Sequence, residues 1–200
     1  MAYKIVLDAG HGGEDPGAVW QGRNEKDDTL KLTLAVGEIL ENNGFDVVYT
    51  RTTDVYQTPF EKAQIANRSG ADFFVSIHRN SSPRPNQYSG VESLIYDKSG
   101  IKLQMAENID NALEAVGFKN LGVKERPGLV VLVEAGFINS DTDNELFDSR
   151  FQEIARAIAG GIMGTLDHES VEEVPVYYRV QVGAYRQRQN ADNLLYELMD

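Results

Sequence analysis

Two of the three histidines in this 200-residue chain come directly after short apolar runs. His11 stands in a glycine-rich turn after residues 5–7, and His78 follows the apolar run 73–77. In open α/β folds the carboxyl ends of the strands carry the chemistry, so both imidazoles are expected at one edge of a sheet. The chain contains no cysteine, so a metal would need ligands from His, Asp or Glu. The two histidines therefore indicate a candidate metal site.

Two acidic residues complete the chemistry that these histidines suggest. Glu25 lies where the glycine-rich loop meets the first predicted helix, which makes it the best candidate for a third ligand. Two neutral imidazoles and one carboxylate leave a divalent ion with net positive charge, enough to acidify a bound water and polarise a carbonyl. Glu134 follows the apolar run 130–133 and is the candidate general base. Burial would raise its pKa and a metal would lower it.

Each of these four residues also has a purely structural interpretation. His11 could cap the turn that follows it, and His78 could be a hydrogen-bonded histidine at a strand end. Glu25 suits the positive N-terminal end of a helix. Glu134 could be a carboxylate in solvent at a strand end. Their positions in the sequence leave open whether they converge in space.

Composition narrows the class of protein. The chain has 31 acidic and 19 basic residues, a formal net charge of -12, which argues against nucleic acid as a partner. Hydrophobic residues make up 42% of the chain, enough for a core, and the mean hydropathy is -0.37. No apolar run approaches the roughly 20 residues that span a bilayer, so we expect no membrane span. Residues 1–4 lead into a strand without signal-peptide character, so we expect nothing in the chain to direct export.

Strand and helix signals alternate along the chain. Apolar runs predict strands at residues 4–7, 46–50, 73–77, 91–96 and 129–133. Helical spacing of apolar residues predicts helices over about 26–42, 59–70, 106–116 and 151–162. This order predicts an α/β fold with a largely parallel sheet covered by helices on both faces.

The character of the sequence changes after residue 166. The stretch 167–175 is acidic and ends in a proline, so we interpret it as a linker. Residues 176–200 follow with a strand pattern and a short amphipathic helix pattern, too little to bury a core alone. We therefore expect one domain over 1–166 and the opening of a second module over 176–200.

Several segments follow one another in the order found in a known enzyme family. They are residues 7–13 with 15–18, residues 24–25, residues 66–67 with 71–81, and residues 132–139. The longest of them read LDAGHGG, ADFFVSIHRNS and LVEAGFIN. Together they resemble the zinc-dependent N-acetylmuramoyl-L-alanine amidases, the peptidoglycan-cleaving family called amidase type 3. The likeness covers most of residues 3–166.

The resemblance implies both a fold and a site. The fold would be α/β, with a mixed, mainly parallel six-stranded sheet flanked by helices on both faces. The site would hold Zn²⁺ on His11, Glu25 and His78, with Glu134 as the catalytic base and acid. The reaction would be hydrolysis of the amide between N-acetylmuramic acid and the L-alanine of the stem peptide, with zinc-bound water as the nucleophile.

The resemblance also suggests contacts, partners and a place of action. Arg79 and Asn80 directly follow His78, and we expect them to contact substrate carboxylates. The partner would be peptidoglycan, both its glycan strands and its stem peptides. We expect a monomer that acts at the bacterial cell wall, released by lysis or exported by a route outside this sequence. Whether it is an autolysin, a sporulation enzyme or a phage lysin stays open.

The C-terminal residues resemble a second kind of module. Residues 178–185 followed by 190–191 are similar to the start of a SPOR domain, a peptidoglycan-binding module with a βαββαβ plan. Only the pattern for its first strand and helix is present. SPOR domains favour glycan strands stripped of stem peptides, which are the product of an amidase.

One stretch departs from the family pattern. Members of the family usually place two strands joined by a loop between the segment resembling 124–127 and the catalytic glutamate. Residues 126–134 are too few for both. The wall of the cleft beside Glu134 is therefore expected to differ from that of the family.

Two other functions remain open. One is a peptidoglycan-binding protein that keeps the fold without the chemistry, and the presence of all three ligands and Glu134 argues against it. The other is a zinc carboxypeptidase on a related sheet fold. The end that is released, an N-terminal L-alanine or a C-terminal D-alanine, distinguishes the amidase from the carboxypeptidase.

Overall fold

A computed structural model describes residues 3–128 and 131–166, in which strands and helices alternate along most of the chain. The strands are β1 (Lys4–Ala9), β2 (Val19–Trp20), β3 (Arg23–Asn24), β4 (Asp46–Tyr49), β5 (Phe73–Asn80), β6 (Glu92–Ile95), β7 (Lys124–Glu125) and β8 (Val131–Phe137). The helices are α1 (Glu25–Asn42), α2 (Pro59–Ser69), α3 (Gly100–Val116), α4 (Asp141–Ser149) and α5 (Phe151–Leu166). None of these five helices is long and apolar enough to cross a membrane.

Six of the strands form one sheet in the order β4-β1-β5-β8-β6-β7. β1 pairs in parallel with β4 and β5, β5 pairs in parallel with β8, and β6 pairs in parallel with β7. β6 runs antiparallel to β8, and β2 and β3 form a separate hairpin. The expected mixed, mainly parallel six-stranded sheet is confirmed.

One face of the sheet carries the main apolar core. Leu7 of β1 and Ile77 of β5 point to this face and are fully buried. α1, α3 and α5 pack on it, each through a stripe of apolar side chains at helical spacing. In the predicted stripe of α5, Ile154, Ile158 and Ile162 are fully buried, and Phe151 at its start is partly buried.

Polar contacts hold α2 to the opposite face. Asp8 points to that face and accepts hydrogen bonds from the hydroxyls of Thr50 and Ser76 at 2.7 and 2.6 Å. Nζ of Lys62, on α2, lies 2.8 Å from the same carboxylate. Burial raises the pKa of Asp8, but attraction to Lys62 and these hydrogen bonds outweigh it, so the pKa lies below its ordinary value. Helices therefore flank both faces of the sheet, as predicted.

Four short elements give no signal that sequence patterns reveal. β2, β3 and β7 have two residues each, too few for an alternation to show. α4 is mostly polar, with a short apolar pair at Leu146 and Phe147. Its start depends on Ser140, whose side chain accepts a hydrogen bond from the backbone N–H of Asp143.

Two strands continue beyond the apolar runs that predict them. β5 extends through His78 to Asn80, and β8 continues past Glu134 to Phe137. The added residues include polar side chains and a glycine, so the apolar count ends too early. Residues 129–130, the predicted linker 167–175 and the SPOR-like piece 176–200 lie outside the described residues.

α3 and α5 approach each other most closely at a glycine. A Cβ on Gly161 would lie 2.7 Å from the backbone N and Cα of Ile109. The helices can keep this distance only while position 161 has no side chain. The neighbouring Gly160 is exposed, and a Cβ there would meet nothing within 4 Å.

We therefore expect opposite effects from two alanine substitutions in α5. Gly161→Ala should lower the free energy of unfolding by roughly 1–3 kcal/mol, because the added methyl overpacks the contact with Ile109. Gly160→Ala should raise it by up to about 1 kcal/mol, because alanine is the better helix former. Urea denaturation measures both changes, and a Gly161→Ala protein as stable as Gly160→Ala would contradict the close approach of the helices.

Candidate metal centre

Hydrogen bonds to two carbonyls fix the glycine-rich turn after β1. Arg51 donates from Nε to the Ala9 oxygen at 3.1 Å and from Nη2 to the Gly10 oxygen at 2.9 Å. Nζ of Lys62 donates to the Ala9 oxygen at 3.0 Å. The next residue, His11, has a φ of 61°, a left-handed conformation that residues other than glycine seldom adopt. The turn thus directs the His11 ring toward the end of β5.

His11, Glu25 and His78 converge at this edge of the sheet. One nitrogen or oxygen atom from each lies within 4.8 Å of the other two, and among the described residues this is the group that could hold a metal ion. Nε2 of His11 is 3.1 Å from Oε2 of Glu25, and Nδ1 of His78 is 3.0 Å from Oε1 of Glu25. The two imidazole centroids are 4.9 Å apart. The three predicted ligands therefore meet in space.

Glu25 is buried at the start of α1 and is held from both sides. Its Oε2 accepts a hydrogen bond from the Ala18 backbone N–H at 2.9 Å, and its Oε1 accepts one from the Arg79 backbone N–H at 3.0 Å. Burial raises the pKa of Glu25, but the hydrogen bonds with His11 and His78 outweigh it and leave the pKa far below its ordinary value. Glu25 is therefore an ionised carboxylate between two imidazoles.

Two glycines allow the ligands to approach one another. A Cβ on Gly10 would lie 2.5 Å from Cε1 of His78. A Cβ on Gly17, where φ is 66°, would lie 2.6 Å from Cδ2 of His11 and 2.7 Å from Oε2 of Glu25. A side chain at either position would displace a ligand, so the glycines of the loop are a requirement of the site.

Asp15 orients His11 from outside the ligand group. Its Oδ2 lies 2.8 Å from Nδ1 of His11, while its Oδ1 accepts a hydrogen bond from the Gly17 backbone N–H at 3.0 Å. Burial raises the pKa of Asp15, but these two hydrogen bonds together outweigh it and hold the pKa below its ordinary value. A proton on Nδ1 leaves the lone pair of Nε2 facing the site. The sequence predicts no role for Asp15, although this residue follows His11 by only four positions.

Glu134 lies on β8, between a histidine on one neighbouring strand and a glutamate on the other. Its register partners are His78 on β5 and Glu92 on β6. Its Oε2 is buried and has no hydrogen-bond partner among the described residues. Burial is the largest cause that raises the pKa of Glu134 to about 7; His78 opposes it, and Glu25 and Glu92 add to it. Such a carboxyl can take up or release a proton near neutral pH.

The donor set fits a catalytic zinc ion. Two imidazole nitrogens and one carboxylate form a common zinc ligand set, in which a water or substrate takes the fourth position. The contact between His11 and Asp15 supplies the outer carboxylate that metal-ligating histidines usually have. The unpartnered Oε2 of Glu134 lies on the same face of the sheet as His78, where a polar ligand could satisfy it.

The two residues after His78 point in different directions. The Arg79 side chain is 1% exposed, its Nη1 lies 2.6 Å from Oδ2 of Asp28, and its guanidinium lies 4.1 Å from the centre of the Phe147 ring. The expected substrate contact does not fit Arg79, because its guanidinium is enclosed between α1, α4 and the sheet. Asn80 is partly exposed, and its substrate contact stays a prediction.

Comparison with known sequences gives the same family along almost the whole described chain. The sequence model of the N-acetylmuramoyl-L-alanine amidase family matches residues 5–163. The sporulation-specific N-acetylmuramoyl-L-alanine amidase of Bacillus subtilis (strain 168) is 36% identical over 205 residues, covering 96% of this chain and 78% of the relative.

Solved structures of similar proteins share the fold. The N-acetylmuramoyl-L-alanine amidase AmiC2 of Nostoc punctiforme matches with a TM-score of 0.76 and 33% identity, over 83% of this chain and 98% of that chain. The N-acetylmuramoyl-L-alanine amidase of Clostridium difficile 630 matches with a TM-score of 0.78 and 28% identity, over 84% of this chain and 99% of that chain. The chain therefore belongs to the N-acetylmuramoyl-L-alanine amidase family of enzymes.

Proposed function

We propose that this chain hydrolyses the amide bond between N-acetylmuramic acid and the L-alanine of the peptidoglycan stem peptide. The observation that carries the proposal is the group of His11, Glu25 and His78 beside the unpartnered carboxyl of Glu134, in a chain of the amidase family. The proposed cofactor is one zinc ion held by the three grouped side chains.

In this proposal the zinc ion activates the reacting groups, and the surrounding carboxylates position the imidazoles. When bound, zinc would acidify a water molecule and polarise the scissile carbonyl. Glu25, ionised and buried, offsets part of the positive charge and holds both imidazoles in place. Asp15 keeps the proton of His11 on Nδ1, so that Nε2 stays available as a ligand.

Glu134 moves the proton in this proposal. Its carboxylate takes a proton from the attacking water as the new C–O bond forms, then gives that proton to the L-alanine nitrogen as the C–N bond breaks. The buried Oε2 without a partner favours the uptake of a proton. The raised pKa lets the carboxyl hold the proton between the two steps.

We place this activity at the bacterial cell wall, with peptidoglycan glycan strands and stem peptides as the partner. A relative that is 36% identical is named as sporulation-specific, which supports a role in sporulation or autolysis. The monomeric state and the SPOR-like tail remain predictions.

The ends released from peptidoglycan test the proposed reaction. Purified cell walls are incubated with the full chain and zinc, and new ends are identified by amino-group labelling and mass spectrometry. The amidase releases stem peptides with a free N-terminal L-alanine. Release of C-terminal D-alanine would assign a carboxypeptidase instead, and binding to the walls without any new end would assign a binding protein.

Replacing Glu134 should separate catalysis from metal binding. Glu134→Gln should lower kcat by about 10²–10⁴-fold, the usual contribution of a positioned general base. It should leave zinc content unchanged, because Glu134 is not among the three proposed ligands. Peptide release measures kcat, and elemental analysis of the same preparation measures the zinc content.

Glu114→Gln, an exposed site on α3, is the control and should keep full activity. A loss of only a few-fold for Glu134→Gln would contradict its proposed role.

Replacing Asp15 should weaken metal binding without removing a ligand. Asp15→Ala should reduce zinc affinity by about 10–100-fold, because the His11 ring loses the carboxylate that orients it. Competition with a chromophoric chelator measures this affinity independently of activity. Asp46→Ala, at the far edge of the sheet, is the matched control. Equal zinc affinities for the two variants would contradict the proposed role of Asp15 in orienting His11.

A further inference from the structure

A row of charged side chains crosses three neighbouring strands beside the metal group. His78 of β5 is the register partner of Glu134 on β8, and Glu134 is the register partner of Glu92 on β6. Partners in register point to the same face of a sheet, about 5 Å apart. The row therefore leads from the candidate metal group toward β7 at the edge of the sheet.

Glu92 holds a lysine at the end of this row. Its side chain is 10% exposed, and its Oε1 accepts a hydrogen bond from Nδ2 of Asn80 at 3.1 Å. Its Oε2 pairs with Nζ of Lys124, which lies on β7 and is 50% exposed. One end of this pair is therefore enclosed by the protein and the other faces solvent.

The surface beside this pair is an apolar part of the sheet. Leu94 is the register partner of both Leu132 and Lys124, so the three share the face that carries Glu134. Leu94 and Leu132 are half-buried, whereas their strand neighbours Ser93 and Val133 on the other face are fully buried. Leu94 and Leu132 therefore form a short apolar floor beside the row of charged side chains, and Lys124 on β7 borders this floor at the edge of the sheet.

Lys124 provides a positive charge on a surface that is otherwise acidic. Glu92 and Glu134 face this surface, and the whole chain carries a formal charge of -12, so an anionic substrate group would be repelled unless a cation faced it. An ammonium group has three N–H donors, so Lys124 can bind Glu92 and a second carboxylate together. Pairing with the buried Glu92 keeps the ammonium near the site and reduces the entropy lost on binding.

We propose that Lys124, held by Glu92, is a specificity-determining residue that binds a carboxylate on the peptide side of the scissile bond. The stem peptide would lie over Leu94 and Leu132, with the carboxylate of its second residue at Lys124. The span fits, because Lys124 Cα lies about 12 Å from Glu134 Cα by two strand spacings and two residues of rise, and the side chain shortens that distance. This inference rests on the proposed amidase function.

Two matched substrates test the inference. They are soluble N-acetylmuramoyl tripeptides whose second residue is a glutamate joined to the third through its γ-carboxyl, so that its α-carboxyl is either a free carboxylate or a carboxamide. For Lys124→Met, KM for the carboxylate substrate should rise about tenfold, the size expected for one charge-assisted hydrogen bond. Its KM for the carboxamide substrate and both kcat values should stay within about twofold, because the reacting groups are untouched.

Three further variants make the result specific. Lys124→Arg should keep the preference for the carboxylate, since it keeps the positive charge. Glu92→Gln should lose part of that preference, since it removes the partner that holds Lys124 in place. Lys31→Met, an exposed site on α1, is the control and should change neither KM.

The outcomes distinguish a failure of the carboxylate subsite at Lys124 from a failure of the proposed amidase function. If Lys124→Met changes both substrates equally, or neither, the subsite for the carboxylate is overturned while the amidase function stands. If the unaltered chain with zinc cleaves neither substrate nor whole peptidoglycan, the proposed function fails and this inference fails with it.

Discussion

The carboxylate of Glu25, buried between two imidazoles, is the interaction on which the site depends. A buried ionised group is costly unless other groups satisfy it. Here four polar groups surround the two oxygens: Nε2 of His11 and Nδ1 of His78 lie at 3.1 and 3.0 Å, and the backbone N–H groups of Ala18 and Arg79 donate hydrogen bonds. This places an ionised carboxylate beside the other two proposed ligands. It also ties the start of α1 to the ends of β1 and β5.

Much of the surrounding structure serves to keep that contact possible. Arg51 and Lys62 hold the carbonyls that precede His11, and Lys62 also pairs with Asp8 below the turn. The parallel pairing of β1 with β5 brings the two histidine-bearing strand ends side by side. The antiparallel β6 then brings Glu92 next to Glu134, so the site continues sideways across the sheet toward its edge.

Patterns along the sequence predict those helices and strands whose residues are neighbours in the chain. The apolar spacing of α5 and the apolar run of β1 suffice for those elements, and residue type with position suffices for the three grouped ligands. The order of strands in a sheet cannot be predicted from such patterns. The position of Glu92 next to Glu134 therefore follows only from the strand order β5-β8-β6. Arg79 shows the converse. It adjoins His78 in sequence, but successive residues of a strand point to opposite faces, which placed its guanidinium in the interior.

The coordination of zinc by the purified protein shows whether His11, Glu25 and His78 form the metal site. X-ray absorption at the zinc edge, on protein loaded with one equivalent of zinc, reports the ligand types and distances. We expect two imidazole nitrogens together with oxygen ligands, at about 2.0–2.2 Å from the zinc, and the loss of one imidazole in a His78→Ala protein. A chain that binds no zinc, or a zinc spectrum unchanged by His78→Ala, would contradict it.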